Sequence, residues 1–260
     1  MAADPRPDLA PDPALSREEM EALQREIARA AAFEDDFAFD PGALSNPLAA
    51  TANEEAAPIV AGVDQSFLLD EERAVSAVVA VRGGEVIERV HAVTPLEIPY
   101  VPGLLSFREG RPILDAVEAL SVAPDLFLFD GSGRIHFRQA GIATHMGVVL
   151  GVPSVGVAKS LLCGHPAGET DGLDAGARVP IEANARVDAP DGTLLGYAVQ
   201  TKQYDSPNRH VNPLYVSPGH RVGPETAADV ALALSSGYKL PEPIRLADSY
   251  ADEAKREHVD

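Results

Sequence analysis

The sequence predicts an α/β fold: a mixed β-sheet in which an antiparallel three-strand meander is continued by parallel strands and flanked by helices. Three observations carry that expectation. Residues 74–81 and 85–93 are rich in β-branched and apolar residues and meet at Gly83-Gly84, a dipeptide suited to the positive φ of a tight hairpin turn. The run Leu126-Phe127-Leu128-Phe129 is apolar at every position, as in a strand buried on both faces. Beyond it, helical and strand patterns alternate, which in one sheet places helices on the faces.

In chain order, residues 1–14 are rich in Pro and Asp and read as a disordered N-terminal extension, leaving 15–260 as a single domain. Ser16 and Glu19 form the start of a capped helix in SREEMEALQREIARAAAF, with Met20, Leu23, Ile27 and Ala31 on one face. Residues 33–57 read as loop. A first strand over 58–63 ends at Asp64, and the two hairpin strands complete the meander. The proline-framed loop PLEIPYVPG leads into a helix over 107–120. The strand 126–129 ends at Asp130 and is followed by a helix over 139–150 and a strand over 153–158. Residues 164–179, rich in Gly and Asp, read as a loop, 194–202 and 214–216 as strands, and 225–236 as a helix.

At 260 residues and 45% hydrophobic content, the chain has enough apolar material for one sizeable core. No apolar stretch reaches the length of a membrane span, and MAADPRPDLAPDP lacks the basic start and apolar centre of a signal peptide, so a cytoplasmic location is expected. The single cysteine, Cys163, excludes an intrachain disulfide and a Cys-rich zinc site; its plain reading is a small buried apolar residue. Asp and Glu number 40 against 21 Lys and Arg, a net charge of −19, and only four of the basic residues are Lys. In dilute salt such a surface opposes nucleic-acid binding, which draws much of its affinity from Lys and Arg contacts to phosphate. The composition resembles that of proteins from salt-loving organisms, however, and at about 1 M salt the Debye length is only about 3 Å. Diffuse repulsion then fades while direct contacts persist. The acidity speaks to habitat before it speaks to partner.

Ligands of such sheets gather beyond the carboxyl ends of the strands, where Asp64 and Asp130 both stand. A sheet that makes the first and fourth strands neighbours brings the two aspartates together, with Glu109 arriving from another element. Oxygen donors of this kind suit Mg²⁺, which takes one or two carboxylates and completes its octahedron with water and substrate phosphate. Each acid also has a plainer role open to it. Asp64 can begin a turn, Asp130 can form an Asx-turn before Gly131, and Glu109 can close a capping box with Ser106.

Seven blocks narrow the choice: AGVD at 61–64, PYVPGLLSFRE at 99–109, DGSGRIHFR at 130–138, AGIATHMG at 140–147, VPSVGVAKSLLCG at 152–164, NPLYVSPGHRVG at 212–223 and GYKLPEPIRLAD at 237–248. In order and spacing they resemble endonuclease V, a family of nucleases for deaminated purines with a ribonuclease H-like fold. The resemblance implies that Asp64, Glu109 and Asp130 are the metal-binding acids, with Mg²⁺ as cofactor and Mn²⁺ as a substitute. It places Lys159 near the scissile phosphate or attacking water and His220 beside the metal centre. It makes Pro99, Tyr100, Val101 and Pro102 a wedge that fills the gap left by an extruded nucleotide. Leu105, Gly131, Gly133, His136, Gly141, Ile142, Ala158, Ser160 and Leu162 match base-pocket positions, where small residues let backbone amides approach the O6 and N7 acceptors of hypoxanthine. The family usually has Pro after the His of its DGxGxxHPR pattern; here Phe137 replaces it, which bears on the pocket rim.

The implied activity is hydrolysis of the second phosphodiester 3′ to a deaminated purine, leaving 3′-hydroxyl and 5′-phosphate ends. DNA containing deoxyinosine is the implied partner, inosine-containing RNA a further one, and a monomer the expected state. Two alternatives remain: a ribonuclease H-like nuclease preferring inosine-containing RNA or branched DNA, and a nucleic-acid-binding module that keeps the fold without the chemistry. A small-molecule phosphotransferase is disfavoured, because no P-loop or Gly-rich nucleotide fingerprint is present.

Overall fold

The computed structural model describes residues 5–44, 57–206, 210–235 and 237–258. One edge of its sheet is the meander: β1 (Ile59–Leu68), β2 (Arg73–Arg82) and β3 (Glu85–Pro95), antiparallel throughout, with β2 and β3 joined at Gly83-Gly84. Both glycines have positive φ, 55° and 87°, as the hairpin turn requires. β4 (Leu126–Asp130) pairs parallel with β1, and β5 (Ser154–Ala158) pairs parallel with β4. The sheet continues through β6 (His165–Pro166), β7 (Arg178–Glu182), β8 (Leu194–Val199) and β9 (Leu214–His220), giving the order β3-β2-β1-β4-β5-β9-β8-β7-β6.

The helices are α1 (Arg17–Ala30), α2 (Leu105–Glu118), α3 (Ile142–Leu150), α4 (Pro224–Ala233) and α5 (Glu242–Glu257). α1 opens with the expected capping box, in which the Glu19 N–H donates to Ser16 Oγ at 3.3 Å and the Ser16 N–H donates to Glu19 at 2.8 Å. The continuous apolar character of β4 follows from burial on both faces. Phe127 and Phe129 join Ala61 and Val63 against α1, α2 and α3, while Leu126 and Leu128 join Val60 against α4 and α5. Each such side chain contributes about 1.5–3 kcal/mol relative to exposure.

Four departures from the sequence expectations have physical reasons. Residues 5–14, read as disordered from composition, lie against the body: Pro7–Leu9 form a 3-10 turn, Leu9 is buried, and the Arg6 N–H donates to Val149 O at 3.0 Å; residues 1–4 lie outside the described part. The segment has no core of its own but borrows that of α3. β1 does not stop at Asp64. It runs on to Leu68 beside β2, whereas its pairing with β4 ends at Val63↔Phe129. The presumed loop 164–179 contains β6 and the start of β7, an edge that borrows its order from β8. Finally α5, absent from the sequence reading, lays Ile244, Ala247, Ala251 and Ala254 across β1 and β2. Its first turn approaches so closely that a Cβ on Gly62 would strike the Pro243 carbonyl.

Candidate active site

Because β1 and β4 are parallel and in register, Asp64 and Asp130 follow level residues on neighbouring strands. Glu109 reaches them from the first turns of α2, Lys159 directly follows β5, and Asp248 descends from α5; all five line one pocket of about 260 Å³. Lys159 Nζ lies 2.6 Å from Asp130 Oδ2. The Gln65 N–H donates to Asp64 Oδ1 at 2.7 Å. Glu109 is no cap: α2 begins one residue before Ser106, with Leu104 at its N-cap and no side-chain cap.

The electrostatics of this pocket are those of acids crowded into poor solvent. Burial, reinforced by the Asp130 charge, pushes the Asp64 carboxyl up to about 9 despite the Gln65 amide and Lys159. Burial also pushes Glu109 to about 7, with Arg108 opposing and Asp130 adding to the rise. Burial depresses the Lys159 ammonium, but its hydrogen bond to Asp130 and the charges of Asp130, Asp64 and Asp248 outweigh that and leave it raised. Among the described residues, no three Asp, Glu, His or Cys side chains are already drawn into a closed metal cage. The donor set nevertheless fits a hard divalent cation: four carboxylates share one pocket with a single ammonium, and a cation is what would let Asp64 ionise there.

His220 is the main correction. β9 runs antiparallel to β5, so that His220 pairs with Ser154 at the far end of β5, while Ala158, next to Lys159, pairs with Tyr215. Ser154 in turn is level with Phe127, three residues below Asp130, or roughly 10 Å along the strand. His220 is 2% exposed, its Nδ1 accepts the Ala32 N–H at 3.1 Å, and burial together with Arg221 lowers it to about 4. It is a satisfied structural histidine. The position that the sequence reading missed is Asp248, although it ends one of the quoted blocks; the signal was an acid one residue after the buried Ala247 of a helix packed on β1.

The PYVP loop behaves as expected in shape. Ile98 and Val101 tuck against Met20, Leu104 and Phe107, Pro99 and Pro102 are exposed, and Tyr100 projects with 65% of its surface free. Behind Tyr100 lies a second, smaller pocket that gathers Leu105, His136, Gly141, Ile142 and Leu162 from the expected set, together with Gln24, Gly103, Ser106, Ser132 and Ala140. Ile142 lines both pockets.

Gly131, Gly133, Ala158 and Ser160 do not line it. The Gly131 N–H donates to Val157 O and the Gly133 N–H to Ser217 Oγ, each at 3.0 Å, so neither amide is available to a base. Gly131 also has φ +154°, and a Cβ there would lie 2.6 Å from Ile142 Cγ2. Their smallness serves strand packing. Phe137 likewise stays off the pocket. It packs with the cluster around Ile135 and Cys163, its ring lies under Arg186 at 5.3 Å, and its carbonyl accepts the Asp188 N–H at 2.7 Å.

One carbonyl organises the pocket floor. Gly103 O accepts from Gln24 Nε2 at 2.9 Å and from His136 Nε2 at 3.1 Å, while Arg138 Nε donates to Gln24 Oε1 at 2.7 Å. The Arg138 N–H donates to His136 Nδ1 at 3.2 Å, which fixes the ring as the neutral Nε2–H tautomer. Burial, with Arg138 nearby, lowers His136 to about 3.

The family model described as Endonuclease V matches residues 43–249. The chain belongs to the Endonuclease V family. It is 57% identical to the Endonuclease V of Haloarcula marismortui over 263 aligned residues, covering 96% of each chain, and 56% identical to that of Natronomonas pharaonis, covering 98% of each. Among solved structures, Endonuclease V from Streptomyces avermitilis superposes with a TM-score of 0.77 at 32% identity, covering 94% of this chain and 95% of that one. The catalytic domain of human Endonuclease V superposes with a TM-score of 0.75 at 31% identity, covering 94% and 99%. The ribonuclease H-like arrangement of meander and parallel strands is thus the Endonuclease V fold. No helix among the described residues is long and apolar enough to cross a membrane.

Proposed function

We propose that this Endonuclease V is a Mg²⁺-dependent enzyme of DNA repair that takes a strand bearing deoxyinosine or another deaminated purine, rotates the damaged base out, and hydrolyses the second phosphodiester on its 3′ side. The observation that carries the reading is the pair of adjoining pockets: one lined by four acids and Lys159, the other a smaller niche under Tyr100, with Ile142 common to both. That layout suits an enzyme that seats a base in one place and attacks a phosphate in another.

Asp64, Asp130 and Asp248 would hold the cation, with Glu109 beside them and Mn²⁺ able to replace Mg²⁺. When bound, such an ion neutralises charge on the scissile phosphate and activates the attacking water. Glu109, which lines the same pocket, would accept a proton from the attacking water. Lys159, half-exposed and held charged by Asp130, would supply a cation to the scissile phosphate at the mouth of the same pocket. Tyr100 is free to stack on the bases next to the gap. His220 has no part in the chemistry.

The decisive assay is nicking of a duplex with one deoxyinosine, in molar KCl with MgCl₂ or MnCl₂, beside the matching RNA and an undamaged duplex. The expected product is a single nick one nucleotide beyond the lesion's own 3′ phosphodiester, with 3′-hydroxyl and 5′-phosphate ends, abolished by EDTA and by Asp64→Ala. Equal cutting of undamaged DNA, or cutting that survives Asp64→Ala, overturns the reading; a preference for the RNA strand reassigns the substrate.

A further inference from the structure

Lysine is scarce in this chain, with four residues set against 40 Asp and Glu, yet three of the four gather at one edge of the sheet. Ala158, Tyr215 and Ala198 are level on β5, β9 and β8. β8 therefore runs parallel to β5, and Lys159 and the segment 200–204 leave the sheet on the same side, about 10 Å apart. Lys239 joins them from the turn between α4 and α5. Its carbonyl accepts the Thr201 hydroxyl at 2.5 Å, and burial, together with the Lys159 charge, depresses its ammonium. Lys202 is anchored in a similar way, its carbonyl accepting from Gln200 Nε2 at 2.6 Å. Tyr238 stands beside both lysines with 52% of its surface exposed, its ring centre 5.8 Å from Lys202 Nζ and 4.5 Å from Arg245 Cζ.

Among the described residues neither Lys202 nor Lys239 forms an ion pair, and Glu242, the acid of the adjoining turn, is taken by Arg245 at 2.5 Å. In a chain of net charge −19, two cations left without a carboxylate beside an exposed aromatic ring are an exception to the surface around them. Their chemistry is that of a track for a single nucleic-acid strand, in which cations meet phosphates and a ring meets sugar or base. The place of this ledge gives the direction of the strand. The pocket under Tyr100 lies on the face of the sheet covered by α1, α2 and α3, whereas Leu240, next to Lys239, packs with α4 and α5 on the other. The acid pocket lies at the sheet edge between the two.

We propose that Lys202, Tyr238 and Lys239 form a docking ledge for the part of the DNA strand 3′ to the cut, the lysines on its phosphates and the Tyr238 ring against a sugar or base. The proposal rests on the functional reading above and deepens it. A strand with its lesion under Tyr100 and its scissile phosphate at the acids crosses the edge of the sheet, and its continuation in the 3′ direction passes over Lys239 and Lys202. Contacts so far from the reacting phosphate hold ground state and transition state alike, so they act on KM and leave kcat alone.

The test compares wild type, Tyr238→Ala and the paired variant Lys202→Gln with Lys239→Gln on single strands carrying one deoxyinosine. One strand has long arms on both sides, one ends just past the cut bond, and one is shortened on the 5′ side instead. On the long strand each variant should lose about 10-fold in kcat/KM with kcat at saturation unchanged. Removing the 3′ arm should cost wild type a similar factor and bring the three proteins level, whereas removing the 5′ arm should leave the gap between them. In anisotropy binding with EDTA, the paired lysine variant should flatten the slope of log Kd against log KCl by about 1.4, or about 0.7 for each lost phosphate contact, and Tyr238→Ala should not change it.

A variant defect that persists at full size on the strand without a 3′ arm overturns the ledge, since a misfolded or generally weakened enzyme behaves that way. So does a defect that disappears with the 5′ arm instead, or a salt slope indifferent to loss of both lysines. Unchanged kcat/KM in both variants on the long strand, with wild type active, overturns it while leaving the endonuclease reading intact. If wild type nicks no deoxyinosine strand, the functional reading falls first and the ledge falls with it.

Discussion

Replacing Asp64 with Asn should make the metal-free protein more stable and the enzyme inactive. Asp64 and Asp130 follow the paired Val63 and Phe129 on strands about 4.8 Å apart, so with both ionised they would repel by about 3 kcal/mol at an effective dielectric of roughly 20, and Asp64 keeps its proton instead. Lys159, bonded to Asp130 at 2.6 Å, offsets a share of that repulsion. Desolvation acts in the same direction. The gain has a pH signature. The folded Asp64 carboxyl holds its proton up to about 9, whereas its ordinary value is 3.8. Between those values the folded wild type binds more protons than the unfolded chain, so its stability falls as pH rises. Asn carries no such proton, and its advantage should be small at pH 4 and grow toward pH 9. Mg²⁺ should reverse the ranking: at about 100 times its dissociation constant a ligand adds about 2.7 kcal/mol to the form that binds it. Urea unfolding of both proteins in molar KCl at pH 5 and pH 8, with EDTA or MgCl₂, measures all three effects. A less stable Asp64→Asn protein at pH 8 in EDTA, or a ranking indifferent to Mg²⁺, refutes the crowding of Asp64 and Asp130.

Asp248→Asn should raise the Mg²⁺ concentration needed for half-maximal nicking by at least about 10-fold, with little change in stability because the side chain is exposed; an unchanged metal titration places Asp248 outside the metal site. His220→Gln should lower stability by about 1–2 kcal/mol through loss of the Ala32 contact yet keep the nicking rate within about threefold, and a hundredfold loss in a folded variant returns it to the chemistry. Tyr100→Ala should weaken binding to an inosine-bearing duplex by about 10-fold in fluorescence anisotropy, with a smaller effect on single-stranded DNA, and equal losses on both deny it a wedge role. With only four lysines and a net charge of −19, affinity should fall only gently as KCl rises, and a slope as steep as that of a basic DNA-binding protein refutes adaptation to high salt.

What was legible in the sequence divides along physical lines. The meander and β4 were readable because their signals are local: a turn dipeptide at Gly83-Gly84, and an apolar run that only double-sided burial explains. The meeting of Asp64 and Asp130 needed one topological step, β1 beside β4, and the register delivers it. His220 was placed beside the metal centre by the resemblance of its block, whereas its position is set by which end of β9 meets which end of β5. α5 failed for a different reason. Its buried positions are mostly alanines, so its apolar stripe is weak in the sequence and becomes a face only when Gly62 lets Pro243 approach the sheet. Asp248 went with it. Gly131 and Gly133 were placed in the right neighbourhood with the wrong purpose, since hydrogen-bond partners such as Val157 O and Ser217 Oγ belong to tertiary structure alone.

The least expected contributor is the N-terminal segment, residues 5–36, all of which precedes the part of the chain matched as Endonuclease V. It is hydrogen-bonded to the rest of the chain at several points. Leu9 O accepts from His145 of α3 at 2.8 Å, Gln24 of α1 holds the Gly103 carbonyl, and the Ala32 N–H satisfies His220. Asp35 accepts the Gly223 N–H at 2.6 Å and Asp36 bonds Arg221 at 3.1 Å. These bonds run from Gly103, just before α2, through α3 to β9 and the start of α4, so residues 5–36 act as a strap across those elements. Gln24 is fully buried and satisfied only through Gly103 and Arg138, so the strap cannot lift without exposing unpaired polar groups on the pocket floor. Part of the order of the pocket under Tyr100 is therefore supplied from a segment whose composition suggests a loose tail.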